Sequence, residues 1–494
     1  MEIVKELVNN KEKMRNSMQN AKQNFQHQSG RLTPMERINM LFDEDSFVEI
    51  GAMSGKDGAG VLTGYGTVGG KLAFTYIQDY AVNGGALDSF GSKKIVRIMD
   101  MAVKMGAPLI EVYDSVGAKL TEGIGVLEAY GSIISRNAKL SGVVPQIAVV
   151  AGPCTGIAAL SAAMSDFSII VQKTGELYIN SPKKLTECEG TNVSSNMYAD
   201  SENCIKNGSV QVSVSKEEEG LLLVKKLINY IPSNNLEVVQ MSSDAGAPDE
   251  VQSGLDDIVN KGDIKIDTLL NTIADSESVI EFDKSSDMNI KTALIKINGM
   301  TAGTAAIGNG GRLNIKSIEK ITRMVKFCNC FNIPILCMVN SEGFIQNICE
   351  ENSGLSSAAA RMICALNQAV VPKVSLITGK AYGAIYTAFC SKETACDVVY
   401  AWPGAKISLA EPEEIIKALY KDEIILSEEP KKKETEIIKE KTDEVTSPYK
   451  AAEMGYLDDI IIPSKTKGIL YETFDMLQSK RVVNYPKKHV SVLL

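Results

Sequence analysis

The chain contains the same pattern twice. Lys94-Ile95 and Lys320-Ile321 stand 226 residues apart, as do Ala107-Pro108-Leu109-Ile110 and Ile333-Pro334-Ile335-Leu336, and Gly117 and Gly343. Val143-Val144-Pro145, leading to Gly152-Pro153-Cys154-Thr155-Gly156, is matched 227 residues later by Val370-Val371-Pro372, leading to Gly379-Lys380-Ala381-Tyr382-Gly383. Solenoid units repeat every 20–50 residues or so. A period this long is a duplicated domain. Within 494 residues, two domains of roughly 150–250 residues each can bury their own cores. Two domains of one pattern can also face each other across one site.

Both halves follow the same order. In the first, strand-like runs punctuated by Gly64, Gly66, Gly69 and Gly70 fill 61–80, and Asn83-Gly84-Gly85 reads as a turn. A helical pattern over 88–105, a buried strand at 109–113 ending at Asp114, and a helix over 122–139 come next. A strand at 147–151 and a helix over 157–164 complete the run. The second half predicts strands at 293–297, 335–339 and 374–378 and helices over 318–330, 356–369 and from 384. Short apolar runs alternating with helical patterns predict an α/β fold with largely parallel strands. Residues 1–30 read as a polar, solvated helix, and Thr33-Pro34-Met35-Glu36-Arg37 as a helix start. The Asp/Ser/Gly/Pro-rich stretch 242–262 reads as a linker, which sets domains at 31–241 and 263–494. The mixed-charge run 421–446 reads as an exposed helix or loop.

Composition removes several function classes. A net charge of −9 argues against a nucleic-acid surface. No apolar run is long enough to span a bilayer, and the polar N-terminus fits no targeting peptide. Ten scattered cysteines without a C-x-x-C pair suit free thiols in a reducing cytoplasm. Cys328 and Cys330 are too close for a zinc knuckle, so no metal is expected. The two histidines, His27 and His489, lie outside every motif. Chemistry here has to run without imidazole, which disfavours Ser-His-Asp and Cys-His nucleophilic mechanisms.

The repeated strand–turn–helix junctions, 152–156 and 379–383, supply an alternative. A glycine turn that opens a helix exposes unpaired backbone N–H groups, and these stabilise an oxyanion without any titrating side chain. The turns at 114–119 and 340–344 also correspond and, in a parallel sheet, lie beside those junctions.

Several blocks together resemble the biotin-dependent acyl-CoA carboxyltransferases, a family that includes the propionyl-CoA carboxylase β subunit and the methylmalonyl-CoA decarboxylase α subunit. They are Arg31-Leu32-Thr33, Phe47-Val48-Glu49, Gly64-Tyr65-Gly66, Gln78-Asp79, Lys93-Lys94-Ile95, Asp114-Ser115, Gly152-Pro153-Cys154, Phe331-Asn332-Ile333-Pro334, Lys380-Ala381-Tyr382-Gly383 and Tyr400-Ala401-Trp402-Pro403. The resemblance runs in unbroken order over about residues 30–490. It implies two tandem crotonase-like (ClpP/crotonase) domains, acyl-CoA on the first and biotin on the second. It also implies that CO2 moves between carboxybiotin and the α-carbon of a short, propionyl- or methylmalonyl-type acyl-CoA. Biotin would arrive on a separate carrier protein, beside biotin carboxylase or membrane decarboxylase subunits. The chain itself would be a cytoplasmic homo-oligomer, a hexamer, peripheral to the membrane in the decarboxylase case.

Carried over by position, the resemblance implies catalytic amides at Val116 and Gly117 and at Gly383, Ala384 and Ile385. Gly84, Gly85, Lys119, Gly152, Cys154 and Gly156 would contact acyl-CoA. Glu342, Gly343, Phe344, Tyr382, Tyr386 and Thr387 would line the biotin and substrate pocket. The chain departs from the family where Val116, Ile157 and Glu411 replace glycines and Glu342 replaces a proline. Two other readings follow from those departures. One is a catalytically impaired paralogue that serves as a structural subunit. The other is a crotonase-type acyl-CoA enzyme without biotin, which would need Asp114 or Glu122 as a base, although these read as a helix cap and an exposed acid.

Overall fold

A computed structural model describes residues 3–6, 9, 23–55, 59–239, 254–256, 265–282, 289–482 and 485–486. The described residues form two compact units, 1–238 and 239–494. Most of the expected N-terminal helix, most of the linker at 242–262, and His489 lie outside the described residues.

The first unit is built on one sheet in the order β1-β2-β3-β4-β5-β6-β8, with β7 also paired to β5. Its strands are β1 (Val48–Glu49), β2 (Val61–Val68), β3 (Lys71–Gln78), β4 (Leu109–Ser115), β5 (Gln146–Thr155), β6 (Phe167–Val171), β7 (Glu176–Tyr178) and β8 (Val212–Val214). β2 and β3 form a hairpin whose turn, Gly69-Gly70, takes positive φ at both residues (57° and 79°). Such a turn suits the right-handed twist of the flanking strands. From β3 onward the pairings are parallel. The crossover from β3 to β4 is the helix Ser89–Met105. Asp88 caps it by accepting from the Gly91 amide at 2.8 Å, and Gly106 ends it in the left-handed conformation. Ile95, Ile98, Met99 and Ala102 turn inward from it onto Tyr76, Leu109 and Tyr113.

The second unit repeats this plan strand for strand: β16-β14-β13-β12-β11-β10-β9, with β15 paired to β13. Its strands are β9 (Ile280–Phe282), β10 (Ile290–Ile297), β11 (Met300–Leu313), β12 (Ile335–Phe344), β13 (Lys373–Tyr382), β14 (Val398–Ala401), β15 (Lys406–Ser408) and β16 (Asp459–Ile460). Even the irregularities coincide. The β4–β5 register shifts after Tyr113 so that Ser115 faces Cys154, and the β12–β13 register shifts after Val339 so that Ser341 faces Ala381. Trp402 anchors the second core, wholly buried, with its indole N–H donating to Thr466 Oγ1 at 3.0 Å. The run at 421–446 is not simply exposed. Its two helices, Lys421–Ile425 and Pro430–Thr446, bury Ile424 and Ile437 against Ile416.

Candidate active site

In each unit two turns sit side by side where adjacent parallel strands end. In the first unit β4 runs on through Val116, Gly117 and Ala118, and β5 runs on through Gly156. Gly117 (φ 106°) and Gly156 (φ 63°) occupy backbone conformations that L side chains rarely adopt. Thr155 Oγ1 donates to the Val116 carbonyl at 2.9 Å and ties the two turns together. The Gly156 amide donates to Tyr178 O at 2.8 Å. The next two amides, Ile157 and Ala158, begin the helix Ile157–Ala163 and have no acceptor among the described residues.

The second unit reproduces this. Gly343 (φ 142°) and Gly383 (φ 52°) hold the equivalent turns, and the Gly383 amide donates to Ser408 O at 2.9 Å. A Cβ on Gly383 would come within 2.9 Å of the Leu409 carbonyl oxygen, so only glycine fits. The following amides, Ala384 and Ile385, have no acceptor among the described residues. The segment expected to be an ordinary helix from 384 becomes a π-helical turn over Tyr386–Cys390. Such turns are rare and recur at functional sites.

Val116 and Gly117 themselves are not open donors. The Val116 amide donates to Gly84 O at 2.9 Å and the Gly117 amide to Ser115 Oγ at 3.0 Å. Lys119 N–H donates to Leu87 O at 2.9 Å, which leaves Ala118 as the turn's open amide among the described residues. A third repeated turn, missed in the sequence, supports this arrangement: Asn83-Gly84-Gly85 recurs as Asn309-Gly310-Gly311 at the same 226-residue offset. Both Asn-Gly pairs are left-handed, 52° and 66° against 53° and 68°.

Asp114 is not a helix cap. It is wholly buried, with Oδ1 accepting from Arg31 at 2.9 Å and Oδ2 from Arg37 at 2.9 Å. Arg37 is itself wholly buried and also donates to Glu217. Burial works against the charged guanidinium, but Glu217 and Asp114 outweigh it and hold its pKa above the usual arginine value. Gly152 makes room for this cluster, since a Cβ there would sit 1.9 Å from Asp114 Oδ1. A Cβ on Gly85 would sit 2.1 Å from the Asp114 carbonyl oxygen. Gly85 and Gly152 therefore both make room for Asp114. Cys154 is a core residue with no surface to offer, and burial pushes its thiol well up. Lys119 is half-exposed and pairs with Asp88 at 3.2 Å. Glu122 is partly buried, not an exposed acid, and accepts from the Ser89 amide at 2.9 Å.

In the second unit Asn340 takes the place of Asp114. Gly379 leaves it room, because a Cβ there would lie 2.4 Å from Asn340 Cγ. Asn340 Oδ1 accepts from the Lys380 amide at 3.0 Å. The residue equivalent to Lys380 in the first unit is Pro153, which has no N–H to offer.

Glu342 is not turned freely to solvent. Lys380 Nζ donates to its Oε1 at 2.6 Å and Arg312 Nη2 to its Oε2 at 3.2 Å. Arg312 also donates to Glu411. The hydrogen bond from Lys380 leads the effects that hold the Glu342 carboxyl below its ordinary pKa, so it is ionised at neutral pH. The two acids that replace a proline and a glycine thus come with their own cations, which the sequence reading did not pair with them. Tyr382 is nearly buried, and burial, with Glu342 and Glu411 nearby, pushes its phenol up to about 12. Burial likewise pushes Tyr386 up to about 12, and its hydroxyl donates to Tyr456 O at 3.1 Å. Phe344 is partly buried and Thr387 is exposed. Among the described residues there is no group of acids, histidines and cysteines able to hold a metal ion.

A chain with two such turn pairs is equipped to hold negative charge on main-chain amides. The family profile of the carboxyl transferase domain matches residues 25–492. The chain is 34% identical over 488 residues to the propionyl-CoA carboxylase carboxyltransferase subunit of Haloferax mediterranei, covering 95% of each. It is 34% identical over 492 residues to the methylmalonyl-CoA decarboxylase subunit alpha of Propionigenium modestum, covering 95% of this chain and 94% of that one. The transcarboxylase 12S crystal structure, a hexamer assembly with methylmalonyl-coenzyme A and methylmalonic acid bound, superposes with a TM-score of 0.94. That match has 31% identity and covers 99% of this chain and 97% of the other. The fold is therefore the tandem crotonase-like arrangement that the resemblance implied, and the chain belongs to the carboxyl transferase domain family.

Proposed function

We propose that the chain is the carboxyltransferase subunit of a biotin-dependent acyl-CoA carboxylase or decarboxylase, acting on a propionyl- or methylmalonyl-type thioester. The observation that carries this is the duplicated pair of open-amide turns, one pair per unit, in a chain that matches the family from residue 25 to 492. In the first unit the amides of Ile157 and Ala158, beside that of Ala118, receive the thioester oxygen. They stabilise the negative charge that grows on it when the α-carbon gains or loses a carboxyl group. Because these donors are already fixed by Gly156 and the Tyr178 contact, no reorganisation is needed as charge develops.

In the second unit the amides of Ala384 and Ile385 suit the ureido oxygen of biotin. They are neutral donors, positioned by a glycine that no other residue can replace. Biotin, delivered by a separate carrier chain, supplies the transferable carboxyl group and the ring nitrogen that serves as base. Glu342 does not rule this group out, because Lys380 and Arg312 already balance its charge. A hexamer and partner subunits that carry and carboxylate biotin belong to the same proposal.

The test is incubation of the purified chain with methylmalonyl-CoA and free biotin, following propionyl-CoA by chromatography. Propionyl-CoA that forms only when biotin is present supports the reading. Intact oligomers that turn over no short acyl-CoA would instead establish the structural-subunit alternative.

A further inference from the structure

At the second pair of turns four charged side chains stand together: Arg312, Glu342, Lys380 and Glu411. Their equivalents in the first unit are Ala86, Val116, Pro153 and Ser181, none of them charged. Ser181 and Glu411 correspond because each immediately precedes the proline that opens a helix, Pro182–Glu189 and Pro412–Leu419. Ser181 caps its helix with its side chain, whereas the Glu411 side chain turns to Arg312 instead. The frame is duplicated and the charges are not. Their side chains are 26–41% exposed. Ion pairs that open to water add little to stability, so holding the fold together does not account for them.

The geometry does point to a use. Arg312, Glu342 and Lys380 come from three adjacent parallel strands, β11, β12 and β13. The two cations converge from either side on the two oxygens of the one carboxylate between them. The Lys380 backbone is pinned by Asn340, and its residue lies four positions before the open amide of Ala384. Two fixed cations converging on one carboxylate form a receptor for a carboxylate, whichever molecule carries it.

We propose that Arg312 and Lys380 form a carboxylate-binding site whose resident occupant is Glu342, and that the carboxyl group of an incoming ligand enters by displacing it. The ligand's identity rests on the transfer reading; the existence of the site does not. Glu342 acts as a tethered competitor, present at the high effective concentration that a short link confers. Glu411 keeps a counter-charge on Arg312 after Glu342 has left. A group without a negative charge cannot make the exchange, so the site discriminates in favour of carboxylated ligands over their uncharged forms.

The test is calorimetric titration of malonate into the intact chain at low ionic strength, with chloride as the control anion. Removing the tethered competitor in Glu342→Gln is expected to tighten malonate binding by roughly tenfold or more. Adding Lys380→Gln to that variant is expected to abolish the gain. Malonate bound no tighter by Glu342→Gln, with melting temperature and oligomer mass unchanged, would overturn the proposal. A gain that survives Lys380→Gln would overturn it equally. Should Glu342→Gln not stay folded, Glu342→Asp keeps the charge but shortens the reach. It is expected to bind malonate more tightly than the wild type, and unaltered affinity there also rejects the site. Neither biotin nor coenzyme A is needed. A chain that binds malonate as expected but transfers no carboxyl group upholds this site and sinks the transfer reading alone.

Discussion

Glu111 lies wholly inside the first unit, where its carboxyl accepts from Asn137 Nδ2 (3.1 Å), the Tyr113 hydroxyl (3.0 Å) and Ser165 Oγ (2.8 Å). Burial outweighs those hydrogen bonds and raises its pKa to about 7. A carboxyl that stays protonated in the folded state and ionises near 4.5 when unfolded adds stability fully at low pH. That contribution falls away as pH rises through the folded value. Compared with Glu111→Gln, the wild type is therefore expected to lose up to roughly 3 kcal/mol between about pH 4.5 and 7, measurable by urea denaturation across that range. Equal pH slopes for the two proteins would contradict it. Asp114 is held by ion pairs, to Arg31 and Arg37. Asp114→Asn takes its carboxylate from Arg31 and leaves the wholly buried Arg37 with Glu217 as its one acid, and is expected to cost about 3–5 kcal/mol by the same measurement.

The turns are where conformation at an element's end decides chemistry. Gly383 has positive φ and no room for a Cβ, so Gly383→Ala has to move the peptides that aim the Ala384 and Ile385 amides. Loss of such a donor set is expected to lower the transfer rate by about 10²–10³ while acyl-CoA affinity, which the proposed function assigns to the first unit, stays within twofold or so. Rate assays and equilibrium binding together check this, and a parallel loss of affinity would refute the division of labour. These turns were legible in the sequence because glycines at fixed offsets mark them and the duplication shows each one twice. The partners of Glu342 were not legible. Arg312 and Lys380 lie 30 and 38 residues away along the chain, and only the lateral pairing of β11, β12 and β13 brings them together. Nor was the Arg37 cluster legible, since its acids lie 77 and 180 residues from it. That the amides of Val116 and Gly117 already have acceptors within the fold was not legible for a related reason. Sequence identifies a turn, but which of its amides face inward depends on the neighbouring Asn83-Gly84-Gly85 loop.

At the scale of the whole molecule, the two units keep one frame and have diverged in what they place on it. A buried acid salt-linked to arginines supports the first site, and a neutral asparagine supports the second. The proposed assembly makes a mass prediction: light scattering should return about six times the 53.4 kDa chain mass. A monomer or dimer at working concentration would rule the hexamer out. The glycine cradles also constrain how such a protein can change over time. Gly152 and Asp114 fill one space between them, and so do Gly379 and Asn340. Enlarging either glycine is ruinous while its neighbour persists, and shrinking Asp114 first takes Arg31's carboxylate away and leaves Arg37 with Glu217 as its one acid. Descendants of this chain can therefore leave that arrangement only by paired replacement, an evolutionary ratchet set by the room one methyl group would take.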